Sequence, residues 1–292
     1  MIRRAARRAG GIGAALAARA ARASRAVLEV VALMAANVCV TCRATCLGAI
    51  FVLVAAAPLA AQIPLMGAGR APDAAEEIAF RGVGRVTFAG RGFCTGSLIA
   101  SRLVLTAAHC LYDARSLRPL PLSLLRFVPA AIGGLRPQAL RIIRTAAAPS
   151  FHFDGRPVPE AVAADLALLE LADAVDAPPL TVRGRHAAEG DTILAVAYGR
   201  GRITLPGIHE ECAIRGRFLR VLVLDCRLEF GGSGAPVLAG KGGARRIVGI
   251  VSASGRDLEG KELTYAVEPG PRLPALRAAL AATAAEAPAR SR

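Results

Sequence analysis

The sequence predicts an all-β protein, a sandwich or a barrel, followed by one C-terminal helix. Three observations predict it. Short apolar or alternating runs recur along the chain, separated by Gly, Pro and Arg, and strands punctuated in this way point to such folds. Many of the runs are β-branched, and none before the C-terminal tail keeps the 3.6-residue period of an amphipathic helix. The 292-residue chain is 54% hydrophobic and 20% charged, a composition that excludes disorder. It has neither a Gly-X-Y period nor sustained heptads, which excludes collagen and coiled coil.

The chain opens on a segment unlike the rest. Residues 1–61 hold eight Arg (3, 4, 7, 8, 19, 22, 25 and 43) against one acid, Glu29, a net +7. Behind Arg43 runs an apolar stretch, 47–61, of fifteen residues, short of the ~20 that span a bilayer. A basic region, an apolar region and small residues before Gln62 have the form of a secretory signal, with Met34 a more ordinary start than Met1. An uncleaved membrane anchor and an Arg-rich transit peptide are the alternatives. Arg3-Arg4 lacks the surroundings of a twin-arginine signal. Cys39, Cys42 and Cys46 have the spacing of a metal cluster but no His or fourth Cys near them, so no metal site is expected. Without the leader, 231 residues remain with four cysteines, Cys94, Cys110, Cys212 and Cys226. That even count suits two disulfides in a secreted or periplasmic protein.

Residues 62–80 are loose, with Pro64, Gly67, Gly69, Pro72 and an acidic cluster at Asp73, Glu76 and Glu77. They read as a pro-segment or an N-terminal arm. Strand-like runs follow at 83–88, 97–107, 139–143, 165–171, 192–197, 218–224, 236–238, 246–253 and 263–267. The turn Glu189-Gly190-Asp191 divides them into two halves. Residues 271–285, PRLPALRAALAATAA, read as the terminal helix, ahead of a tail ending in Arg290 and Arg292.

Three motifs carry chemistry. In CTGSLIASRLVLTAAHC (94–110) an apolar strand delivers Thr106-Ala107-Ala108 and then His109-Cys110. Small residues let the backbone pack tightly before an imidazole that must be held as a general base. A Cys94–Cys110 bridge would anchor that loop, worth roughly 3 kcal/mol in the loop-entropy model. In FGGSGAPV (230–237) glycines flank Ser233 and permit a turn that exposes its hydroxyl. There the amides of Gly231 and Ser233 could receive an oxyanion. The motif nearly fits a lipase-type nucleophile elbow, but that fold needs a helix after the serine and the order Ser, acid, His. Pro236-Val237-Leu238 starts no helix, and the clear His precedes the Ser. Asp165 enters the apolar run AADLALLEL and needs a partner there, which an imidazole supplies. Asp154, Asp173 and Asp176 read as loop acids, and His152, His186 and His209 as structural or surface residues.

The order His109, Asp165, Ser233 in these contexts resembles the trypsin/chymotrypsin-like serine peptidases, in particular secreted bacterial members related to glutamyl endopeptidases. The resemblance covers roughly 83–267 and concentrates in TAAHC, DLALL, GGSGAP and VGIVSAS (248–254). It implies two six-stranded antiparallel β-barrels with the active site between them, over 81–189 and 190–270, then a C-terminal α-helix and tail over 271–292. It implies catalysis by His109, Asp165 and Ser233 through an acyl-enzyme, with an oxyanion hole at Gly231 and Ser233. Ser252 would bond to Asp165, and Ser252, Ala253 and Ser254 would pair with substrate backbone. Cys212 is the natural partner of Cys226. The protein would act as a monomer on protein or peptide substrates, without cofactor, metal or specific nucleic acid.

The family pattern is broken at some points. Gly232 replaces the acid that precedes the serine, and no Ile-Val-Gly-Gly start is present, which argues against activation by a new N-terminal ion pair. Ala235 replaces a usual Gly. Arg227 stands six before Ser233, where trypsin-type enzymes carry Asp, so a substrate-binding Arg227 would disfavour Lys and Arg and admit acids. Alternatively Arg227 faces solvent. Val251, not the His of glutamyl specificity, precedes Ser252, and Leu263 would narrow the pocket.

The charge of +15 and the pI near 10.9 suggest nucleic acid or an anionic surface as partner. Of that charge +7 belongs to residues 1–61, leaving +8 on scattered residues with no basic helix or stacking series. The rival readings are a catalytically silent protease-like module that binds anionic surfaces or a protein partner, and another serine hydrolase.

Overall fold

The computed structural model describes residues 69–285, except 89, 91, 132–136, 184–186, 189, 190 and 229. The leader with Met34, Cys39, Cys42 and Cys46, the Glu189-Gly190 turn, His186, Arg290 and Arg292 lie outside the described residues.

Among the described residues twelve strands form two closed antiparallel barrels. The first is built from β1 (Val83–Phe88), β2 (Phe93–Ala100), β3 (Leu103–Thr106), β4 (Leu125–Val128), β5 (Leu140–Ala147) and β6 (Ala167–Leu171), closed in the order β1-β2-β3-β6-β5-β4. The second holds β7 (Thr192–Gly199), β8 (Arg202–Phe218), β9 (Val221–Leu224), β10 (Pro236–Ala239), β11 (Arg246–Arg256) and β12 (Glu262–Val267). Its order, β10-β11-β12-β9-β8-β7, is the first barrel's wiring moved six strands along. Closure leaves neither sheet with an unpaired outer strand. Among the described residues three α-helices accompany the barrels: α1 (Ala74–Ala79), α2 (Pro159–Ala164) and the C-terminal α3 (Leu273–Ala285).

Inward residues such as Val86, Leu98, Val104, Phe127 and Leu169 fill the first barrel, and Ile193, Ile214, Leu222, Leu224 and Val237 the second. A third cluster lies between the barrels. It joins Leu105, Leu166 and Leu168 to Leu194, Val196, Tyr198, Leu238 and Ile250, and takes in Leu276 and Leu280 of α3. Residues before β1 are tied to it. Arg70 and Ile208 exchange both backbone hydrogen bonds, at 3.0 and 2.9 Å, and Phe80 is buried in the inter-barrel cluster. The acidic cluster has local work here. Asp73 and Glu76 form a capping box that starts α1, and Glu76 and Glu210 grip the Arg70 guanidinium from either side. These carboxylates lie below their ordinary pKa because of hydrogen bonds from Arg70.

Two of the predicted runs are divided. Residues 97–107 break at Ser101-Arg102 between β2 and β3, and 218–224 breaks between β8 and β9. At the second break Leu219 and Arg220 have φ of +44° and +69°, values that neither residue type advertises in sequence. Strand β4 and the helices α1 and α2 carry too few apolar positions to show a period. Among the described residues no helix is long and apolar enough to cross a membrane.

Candidate active site

Strand β3 ends at Thr106, and the chain turns through a 3-10 segment, Ala108–Leu111, that presents His109. Ala107 and Ala108 are fully buried, so larger side chains there would displace the turn. Cys110 is bridged to Cys94 of β2, with Cα atoms 6.2 Å apart, which ties the turn to the barrel wall. A second disulfide, Cys212–Cys226, joins β8 to the segment after β9. Such bonds are typical of extracellular or periplasmic proteins.

Asp165 caps the C-terminus of α2 instead of lying in the following strand, which begins at Ala167. It is 3% exposed, and a carboxylate so buried requires several donors. Its Oδ1 accepts the His109 backbone N–H at 2.8 Å. Its Oδ2 accepts His109 Nδ1 at 2.6 Å and Ser252 Oγ at 2.5 Å. A proton held on Nδ1 leaves the Nε2 lone pair free. Burial lowers the His109 pKa, but attraction to Asp165 and their hydrogen bond outweigh it, and the net shift is upward.

Ser233 sits on a turn with Gly231 at φ +107° and Gly234 at φ +79°. A Cβ on Gly234 would lie 2.1 Å from Thr95 O and 2.2 Å from Thr106 Oγ1. Only glycine therefore lets the serine turn close against the strands that carry His109. Thr95, fully buried on β2, fastens this junction. Its amide donates to Ser233 O at 2.8 Å, its hydroxyl donates to Gly231 O at 2.8 Å, and it accepts the Tyr198 N–H at 3.0 Å. The Gly231 and Ser233 amides donate to no described residue, and no hydrogen bond joins His109 to Ser233 among the described residues. Such contacts are commonly long without substrate.

Ser233, Ser252, Ala253 and Ser254 share one cavity of about 300 Å³ with Leu228, Phe230, Gly232 and Val251. Beyond Val251, strand β11 pairs with β12 alone among the described strands, so residues 252–254 have an open edge beside the serine. Arg227 is not in this cavity. It is exposed and paired with Glu262 at 3.0 Å, because that acid on β12 draws it outward. Leu263 also stays outside, opposite Gly255 in the β11–β12 ladder. His152 borders a second cavity beside His109, while His209 lies on β8 near Gly69, its pKa pushed down to about 4 by burial and by Arg202. Cys94, Cys110 and His109 place their ligand atoms within 4.8 Å of one another, but both sulfurs are consumed in the disulfide and offer no thiolate.

Sequence reasoning missed Thr95 and the loop 151–157. Thr95 carried one usable signal, a hydroxyl directly after a half-cystine inside a buried run, where it must find a partner. The loop carried none, since its aromatic residues face a cavity made by other elements.

This geometry has a family. The chain belongs to the trypsin-like peptidase domain family, whose model matches residues 94–250. Among solved structures it is similar to a Glu endopeptidase in complex with MPD, with a TM-score of 0.56 and 18% identity over 73% of this chain and 97% of that one. It is also similar to HBP, seen in an atomic-resolution structure, with a TM-score of 0.56 and 17% identity over 73% of this chain and 96% of that one. At these identities the likeness is one of fold. No curated protein matches the sequence.

Proposed function

We propose that the protein is a secreted serine endopeptidase in which Ser233 is the nucleophile, His109 the general base and Asp165 its orienting acid. One observation carries the reading: Asp165 is bonded at once to the His109 backbone, the His109 ring and Ser252, which holds the imidazole in a single tautomer and rotamer. Arranging a buried carboxylate this way has no evident purpose except to hold a base.

In this mechanism a peptide lies along the open edge of 252–254 with its carbonyl beside Ser233. His109 Nε2 takes the Ser233 proton as Oγ attacks, and the Gly231 and Ser233 amides receive the oxyanion. Each such donor supplies about 2.7–4 kcal/mol to the transition state. His109 then returns the proton to the leaving amine, and water repeats the sequence on the acyl-enzyme. The leader would direct export, in keeping with the two disulfides. With Arg227 engaged by Glu262, selection against Lys and Arg falls to the cavity lining.

A fluorophosphonate probe tests the reading. It should label Ser233 in the mature chain, and Ser233→Ala should lower turnover by about 10⁶-fold while leaving thermal unfolding unchanged. Hydrolysis that survives Ser233→Ala excludes the assignment. An unlabelled protein that binds heparin tightly favours a catalytically silent module.

A further inference from the structure

We infer that the tip of the β8–β9 hairpin, residues 217–220, is a docking surface for an anionic phospholipid membrane, with Leu219 entering the headgroup layer and the arginines beside it meeting lipid phosphates. The inference goes beyond the peptidase reading and does not depend on it.

Phe218 and Val221 are paired across the hairpin, so the loop between them is Leu219-Arg220 alone. Loops this short match the strand twist when both residues have positive φ, which is why Asn-Gly and Asp-Gly dominate them. Leu219 and Arg220 take that conformation, at φ +44° and +69°, although neither residue type favours it. Leu219 is also 58% exposed, so its side chain returns little by packing. Folding alone gives no reason to carry an apolar side chain into water on a strained backbone, and such outliers gather at functional surfaces. The tip is firmly mounted. Phe218 packs with Val221 and Val162 and meets the Tyr265 ring at 6.1 Å between centroids, and the Glu268 N–H donates to Arg220 O at 3.0 Å. A surface ordered in advance loses little freedom on docking.

The charge around the tip is one-sided. The run 215–220, RGRFLR, holds three arginines and no acid. The acids that pair with two of them lie inside. Glu268, 3.2 Å from Arg217, has a side chain 3% exposed, and Asp225, which pairs with Arg215, one 8% exposed, whereas both arginine side chains reach solvent. Arg272, just before α3, adds to the excess. Burial and then repulsion from Arg220 lower its pKa, and its buried Nη1 has no hydrogen-bond partner among the described residues. The face therefore presents cations around an apolar apex. An anionic glycan or nucleic acid would pair with the guanidiniums but offer Leu219 nothing. A bilayer surface takes both, with phosphates against the arginines and the acyl boundary against Leu219.

The chain has no Trp, so Leu219→Trp places a single fluorescent reporter at the apex, in the full-length protein as well as in the mature chain. Its emission should move to the blue on vesicles of phosphatidylglycerol and phosphatidylcholine, stay in place on phosphatidylcholine alone, and return as salt is added. Leu219→Asn together with Arg220→Gly supplies the residues that the loop prefers. In the mature chain this double substitution should keep or raise the thermal midpoint, yet weaken co-sedimentation with the phosphatidylglycerol vesicles about 10-fold. Stability and binding moving in opposite directions is a result that a purely structural role for the tip would not give. Heparin serves as the competing probe, since it carries the charge without an apolar layer. Vesicle binding unmoved by the double substitution, an emission unshifted on phosphatidylglycerol vesicles, or binding to heparin in place of vesicles overturns the inference.

Discussion

His109 carries two opposing influences, and their balance predicts a pH profile. Burial disfavours the imidazolium, while Asp165 at 2.6 Å favours it more strongly, so the folded pKa is raised above the ordinary value of 6.5. A general base must be neutral, so kcat/KM should be low below that raised value and climb through one ionisation above pH 6.5. Asp165→Asn removes the attraction and leaves burial, so the residual activity should titrate at lower pH. Stability moves the other way. A raised folded pKa contributes stability in full below the unfolded value near 6.5 and loses it as pH rises through the folded value. Rate profiles together with urea unfolding across pH 5–9 check both signs. A rate that falls as pH rises through this range would contradict the role given to His109.

Between elements, the decisive joint is the one made by β2 with the serine turn. Thr95 meets Ser233, Gly231 and Tyr198 through three hydrogen bonds, two of them made by its hydroxyl. Thr95→Val keeps the shape but leaves Gly231 O and Tyr198 N–H unpaired in a buried setting, a loss of about 1–3 kcal/mol for each group left unsatisfied. Denaturant unfolding should show that loss. Turnover should fall as well, since the Gly231 amide belongs to the turn that Thr95 holds. Thr95→Ser should recover most of both. If Thr95→Val matches the wild type in stability and rate, the joint is not organised by this hydroxyl.

Across the whole molecule, stability and site share one region, the layer between the barrels. Phe80 enters that layer from residues preceding β1, alongside Leu105, Tyr198, Ile250 and Leu276. A chain starting at Arg81 therefore loses a core aromatic as well as the Arg70–Ile208 pairing. The expected cost is about 3–5 kcal/mol, the size of a buried Phe→Ala change, measured by urea unfolding against a chain starting at Gln62. An unchanged midpoint would mean that residues 69–80 are dispensable to the body.

The sequence alone determined the strand-rich class, the C-terminal helix, and the short texts around His109, Asp165 and Ser233. These are local matters: β-branched runs, turn residues and glycines act within a few positions of themselves. It also carried the family resemblance, from which barrels were expected. Other features depended on elements distant in the chain. Glu262 turns Arg227 away from the serine, Thr95 locks two barrels together, and Phe151 and Phe153 become cavity walls only where α2 and β11 meet them. Leu219 and Arg220 occupy a left-handed turn because β8 and β9 pair on either side of it, against their own preference. Tertiary structure decided these points because each is a contact between residues far apart in sequence, and such contacts leave no period to read.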